Sequence, residues 1–308
     1  MVLIAALAVT LVAAVSLGSE RLALFDLSET QAAILFDIRL PRLLLAACVG
    51  ASLAVAGASL QALLRNPLAE PYLLGVSNGA ALGTMLAFVF FESFSFARPV
   101  LAFTGAAIAT FAVYQMARSR AGMNVERLVL SGVIVTTFLS SIIVLLTSVL
   151  DAARLRGFTF WLLGDLSQAT YDGFYLTLAA ATVGTIVLSS QARALNLMMV
   201  GERDALDFGV EVGRVRMVVF GLASLLVGTA VAASGSVGYV GLIVPHLVRL
   251  AIGSDNRLVV PMSAFAGAVF VVLADLIART AIAPRELPVG AITALVGAPV
   301  FIYLLRRN

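Results

Sequence analysis

The chain has 308 residues, of which 61% are hydrophobic and only 12% charged, and its mean hydropathy is +1.05. That composition lies outside the range of soluble globular domains, so the sequence reads as an integral membrane protein. Its formal charge of +3 comes from 20 basic residues that are all arginine. Without a lysine there is no Walker A phosphate loop, since that loop needs its Lys on the β/γ-phosphates.

A bilayer core about 30 Å thick takes roughly 20 apolar residues per helical crossing. In chain order, windows free of Asp, Glu and Arg cover Val2–Ser19, Leu43–Leu64, Pro71–Phe91, Pro99–Ala117, Leu128–Leu150 and Gly173–Ala192. No basic n-region precedes the first window, so a retained helix is expected there rather than a cleaved signal peptide. The charge-free block Met217–Val248 is too long for one crossing, and SGSVG at Ser234–Gly238 divides it in two. Leu258–Ala278 holds only Asp275, and Leu287–Leu305 closes the series.

Ten spans result. They are continuous Leu/Ala/Val/Gly runs, unlike the short alternating segments of a β-barrel. The expected fold is an all-α integral membrane protein, one transmembrane domain over residues 1–308, with about ten transmembrane helices. Gly50, Gly57, Gly79, Gly83, Gly221, Gly228 and Gly267 fall inside spans, where small residues let helix backbones approach. Cys48 is the only cysteine and His246 the only histidine, which leaves no disulfide and no cysteine- or histidine-built metal site. Cys48 is expected to pack in the core and His246 at the start of the eighth span. No cofactor is indicated, and the expected surroundings are membrane lipid, not nucleic acid.

Ten crossings put both termini on one side. The loops then divide the arginines twelve to eight, and the larger set marks the cytoplasmic side, with both termini. Arginines of the smaller set run against that bias. Arg39 and Arg42 flank IRLPR, and Arg279 ends the ninth span; they can snorkel to the interface or receive carboxylates of a partner. Asp275 and Arg279 are also spaced for a local i,i+4 ion pair.

Glu202–Arg216, ERDALDFGVEVGRVR, carries seven charges in fifteen residues. At roughly 2.5–3.5 kcal/mol per charge at a helix centre, it cannot lie in hydrocarbon. Ala205, Phe208 and Val212 share one helical face and Leu206 and Val210 another, broken by Gly209 and Gly213. Two short helices hinged at glycine are expected, either lying on the headgroups or inserting into a cytoplasmic protein.

Four stretches resemble the permease subunits of binding-protein-dependent ABC importers for vitamin B12, haem and ferric siderophores, the FecCD family. They are Ile38–Gly83, the GERDALDFGVEVGR loop, GSVGYVGLIVPHLVRLAIGSDNR at Gly235–Arg257, and ELPVGAITALVGAPVFIYLL at Glu286–Leu305. The resemblance implies a bacterial or archaeal inner-membrane subunit that forms a homodimer, or pairs with a homologous permease. It further implies a cytoplasmic ABC ATPase dimer and a periplasmic or lipid-anchored substrate-binding protein. The loop at about residues 193–216 is then expected to form short cytoplasmic coupling helices between spans six and seven. Gly201, Glu202, Ala205 and Gly209 match the family pattern, with Leu206, Phe208 and Arg214 beside them; Phe208 stands where Leu is more usual. Arg39, Arg42 and Arg279 match arginines that dock the binding protein. Trp161–Gln168 is expected to form a short gate helix, and Asp255-Asn256-Arg257 stands where the family often has Asp-His-Arg.

An ion-gradient-driven secondary transporter is the alternative. It needs an ionisable group facing the pathway, for which Asp275 is a better candidate than Glu92 or Asp165. No nucleophile–base cluster can be assembled, so no enzyme is expected.

Overall fold

The computed structural model describes residues 2–17, 28–91, 94, 96–119, 122–123 and 125–307. Arg21, Glu92 and Arg120 lie outside the described residues. Taking Glu29–Leu64 as one continuous helix, the described residues form thirteen helices: α1 Val2–Ser16, α2 Glu29–Leu64, α3 Val76–Phe90, α4 Ala97–Ala117, α5 Val125–Thr147, α6 Ala152–Leu162, α7 Tyr171–Ser190, α8 Ala192–Val200, α9 Glu202–Asp207, α10 Val212–Ser234, α11 Val240–Ile252, α12 Asn256–Thr280 and α13 Val289–Arg307. A two-residue antiparallel ladder, Arg118–Ser119 with Gly122–Met123, joins α4 to α5. By length and composition α2, α4, α5, α7, α10 and α12 can each cross a membrane, while α1, α3, α11 and α13 supply shorter apolar helices. Every predicted window thus coincides with a helix. Only α6, α8 and α9 fall outside them.

Helix starts follow local chemistry. Ser28 and Gln31 form a capping box before α2, Asp151 accepts the Arg154 N–H ahead of α6, and Thr170 accepts the Gly173 N–H ahead of α7; each satisfies N–H groups that the first turn leaves open. The expected span Leu43–Leu64 extends back to Glu29 through a wide π turn at Ile34–Arg39. Pro41 follows at once and has no N–H to continue an ordinary ladder.

α2 is the axis of the bundle. Its most apolar window is 83% buried, against 22% for α5 and α7, and α7, α10, α11 and α12 pack around it. Glycines set the closest approaches. A Cβ on Gly50 would strike the Gly267 carbonyl of α12, and one on Gly57 the Gly241 carbonyl of α11. Gly221, by contrast, faces open space. Gly50→Val is therefore expected to lose about 1–3 kcal/mol by forcing two backbones apart, while Gly221→Ala melts with the wild type. Thermal unfolding of the two variants in nanodiscs checks this, and equal melting would refute the backbone contact.

The break in the long apolar block falls where SGSVG stands. α10 ends at Ser234, and residues 235–239 are non-helical before α11 begins. Gly235 and Tyr239 both have positive φ, 67° and 68°. Irregular backbone inside a membrane bundle must find its hydrogen bonds in the protein, and it does. The Asp165 N–H donates to the Ser234 carbonyl at 2.8 Å. The Tyr72 hydroxyl both donates to the Val237 carbonyl and accepts the Val237 N–H, each at 2.9 Å. The Tyr239 N–H donates to Glu70 at 3.0 Å. His246 lies in the middle of α11 and not at its start, because the helix begins five residues before Pro245.

Candidate functional site

Two polar sites hold the residues singled out in the sequence. The first is the charged segment. α8 ends at Gly201, whose extended backbone (φ −170°, ψ 144°) turns the chain into α9, and a Cβ there would strike the Asp204 carboxylate. Ala205 is fully buried, whereas Leu206 is 55% and Phe208 74% exposed. α9 closes with the Gly209 N–H on the Leu206 carbonyl and the Val210 N–H on the Ala205 carbonyl, both at 2.9 Å. Gly209 has a φ of +78° and empty space around it, so its glycine serves the backbone turn and not packing. Of the two short helices expected within Glu202–Arg216 only one forms, α9, bounded by Gly201 and Gly209; the rest of the segment runs into the 23-residue α10, which contains Gly213.

Glu202 anchors the knob through an ion pair to Arg216 at the start of α10, at 2.7 Å. Arg214, which the sequence singled out, is 74% exposed at its side chain and lies 3.7 Å from Glu211. Two residues apart on a helix point in nearly opposite directions, which is why Arg216 meets α9 and Arg214 meets water. The outcome is a polar segment that presents two large apolar side chains, Leu206 and Phe208, held by a buried alanine and an ion pair. Exposed apolar groups on a polar rim mark contact with a protein or a membrane surface.

The second site gathers the anomalous arginines. Asp275, fully buried on α12, accepts from Arg42 Nε at 2.8 Å and from Arg279 Nε at 2.9 Å. Arg42 also donates to Glu286 at 2.7 Å, and Arg279 to the Ala14 carbonyl at 3.2 Å. Arg39 donates to the Val15 carbonyl at 3.0 Å. The three arginines are only 5–7% exposed. The sequence placed them as cations open to a partner; within this chain they are buried, and Arg42 and Arg279 share one carboxylate. For Arg279 the i,i+4 pair is what forms. Asp275, the best candidate for an ion carrier, spends both its oxygens on guanidiniums.

Trp161–Gln168 is not itself a helix. α6 stops at Leu162, and the stretch beyond it turns through Gly164, whose Cβ position is occupied by Gly290 and Ser236 backbone. Glu70 and Tyr72 escaped the sequence reading altogether, although the polar pair in AEPY beside an apolar run was a signal for them. Among the described residues no group of three or more His, Cys, Asp or Glu could hold a metal ion.

Among the described residues, a predominantly helical apolar body with several membrane-length helices is that of a multi-pass membrane protein. The chain belongs to the FecCD transport family, whose model matches residues 1–307. It is 43% identical over 282 residues to the cobalamin import system permease protein BtuC of Halobacterium salinarum, covering 92% of this chain and 76% of that one. It is 39% identical over 280 residues to the hemin transport system permease protein HmuU of Yersinia pestis, covering 89% and 84%. An inward-facing metal-chelate type ABC transporter superposes with a TM-score of 0.89 at 31% identity, covering 99% of this chain and 97% of the other. The chain is a multi-pass membrane permease of this class.

Proposed function

We propose that the protein moves a bulky metal chelate, of the cobalamin, haem or ferric siderophore kind, into the cytoplasm as one of two paired permease copies. ATP hydrolysis occurs in a separate cytoplasmic ATPase dimer, and a periplasmic or lipid-anchored binding protein delivers the cargo. In this reading α1–α5, α7 and α10–α13 make ten crossings with both termini cytoplasmic, and α8 and α9 are the coupling helices. The observation that carries it is the exposure of Leu206 (55%) and Phe208 (74%) beside fully buried Ala205. The chain's own core takes Ala205, and Leu206 and Phe208 remain available to fill a groove on the ATPase. Co-purification with the cognate ATPase, with and without charges placed on the knob, tests it.

The ion-coupled alternative loses support from the pairing of Asp275, since a carrier needs a carboxylate free to exchange its ion.

Docking of the binding protein at Arg39, Arg42 and Arg279 is proposed to work through the charge network and not through open cations. Glu286 is its exposed member, 46% accessible at the side chain against 8% for Arg42. An incoming carboxylate competes with Glu286 for Arg42. Glu286→Gln is accordingly expected to tighten capture of the binding protein about threefold at low salt, an advantage that shrinks as salt screens it. Surface-immobilised permease titrated with the binding protein across a salt series checks this, and unchanged or weaker capture would reject it.

A further inference from the structure

A single side chain straps α8 to the start of α12. The Asn196 Nδ2 donates to Asp255 Oδ1 at 2.7 Å. Its Oδ1 accepts from the Asn256 N–H at 3.0 Å and from Asn256 Nδ2 at 2.8 Å. Asn256 is fully buried, and its Nδ2 also reaches the Met199 sulfur, one turn along α8, at 3.2 Å. Asn196 therefore uses its donor and its acceptor at once, against two consecutive residues of another element. This occupies the Asp255-Asn256-Arg257 motif that the sequence left without a role.

Capping α12 does not require Asn196. Asp255 already caps that helix, taking the Arg257 N–H at 3.0 Å. The Arg257 side-chain hydrogen bonds hold the Asp255 carboxyl well below the usual carboxylate range, so the strap keeps its anionic acceptor throughout physiological pH. The surplus bonds run from α8, which is joined to the knob by Gly201 alone, to α12, which meets α2 backbone to backbone at Gly267 and Gly50. α8 also buries Ala192, Leu195 and Met198. Side-chain amide bonds of this kind fix direction as well as distance, which apolar packing does not.

We infer that Asn196 is a positioning residue of the transport cycle: through Asp255 and Asn256 it transmits displacement of the α9 knob to α12 and so to the central axis. The inference rests on α9 being the ATPase contact. Without the strap only apolar packing ties α8 to α12. The bonds hold only if α8 and the α11–α12 turn move together, which gives the ATPase stroke a defined entry into the helices.

The test uses the complete importer, permease with ATPase and binding protein, in proteoliposomes, and reads cargo transported per ATP hydrolysed. Asn196→Ala is expected to assemble with the ATPase and to hydrolyse ATP while cargo per ATP falls about tenfold, the scale of losing such hydrogen bonds together. Asn256→His keeps a ring N–H able to donate to Asn196 and is expected to retain the wild-type ratio. Should Asn196→Ala fail to assemble, Asn256→Ala, which removes the side-chain amide bonded to Asn196 and Met199 but keeps the backbone N–H bond, reads the same ratio and is expected to lower it. A wild-type ratio in the alanine variants, or transport and hydrolysis falling in parallel as a merely structural role requires, overturns the inference. Failure of the knob reading shows elsewhere: a permease with both Leu206 and Phe208 replaced by Asp would then still assemble and transport, whatever the ratio in Asn196→Ala.

Discussion

Replacing Leu206 and Phe208 together by Asp is expected to abolish stable assembly with the ATPase and, with it, uptake. Neither side chain supports the chain's own fold, being 55% and 74% exposed, so the variant should purify and melt like the wild type. What it loses is the apolar anchor of the contact. Truncating one such anchor commonly costs 2 kcal/mol or more, so placing charges on two should weaken binding roughly a hundredfold or beyond. Pull-down of the ATPase with the purified permease, followed by uptake in proteoliposomes, reads both effects. Normal assembly and normal uptake would end the coupling assignment for residues 201–209.

Asp275→Asn is expected to produce the largest loss of stability in the chain. The substitution removes the negative charge that the two guanidiniums share and leaves one acceptor oxygen where there were two, while Arg42 and Arg279 stay buried. Breaking a buried ion pair from one side costs about 3–5 kcal/mol, because an uncompensated charge remains. Thermal unfolding in nanodiscs measures the drop, and an unchanged melting temperature would refute the pairing. An intact fold with normal capture of the binding protein but uptake abolished would make Asp275 an ion carrier and favour a secondary transporter.

The spans were legible in the sequence because the bilayer imposes a length and forbids charge, a constraint that acts window by window and needs no knowledge of neighbours. The same logic exposed Glu202–Arg216, whose seven charges fit nowhere inside the membrane. The SGSVG break was legible for a related reason: thirty-two charge-free residues do not fit one crossing. Tertiary pairing was not legible. Arg42 and Asp275 are 233 residues apart, and no periodicity in either helix says which face meets which. Residues 70–72 were missed likewise, since Glu70 and Tyr72 act on backbone 165–169 positions further along. Arg214 and Arg216 looked equivalent in sequence, and only helical phase, fixed by the fold, separates them. Nor does anything in the sequence around Arg39, Arg42 and Arg279 say that they are enclosed by their own chain.

The enclosure of α2 also bears on how the protein is made. Its apolar sequence sends it into the bilayer early in synthesis, yet most of the helices that cover it, α7 and α10–α12, are translated much later. Until then its small-residue surface faces acyl chains, and maturation must strip that lipid away as the later helices close round it.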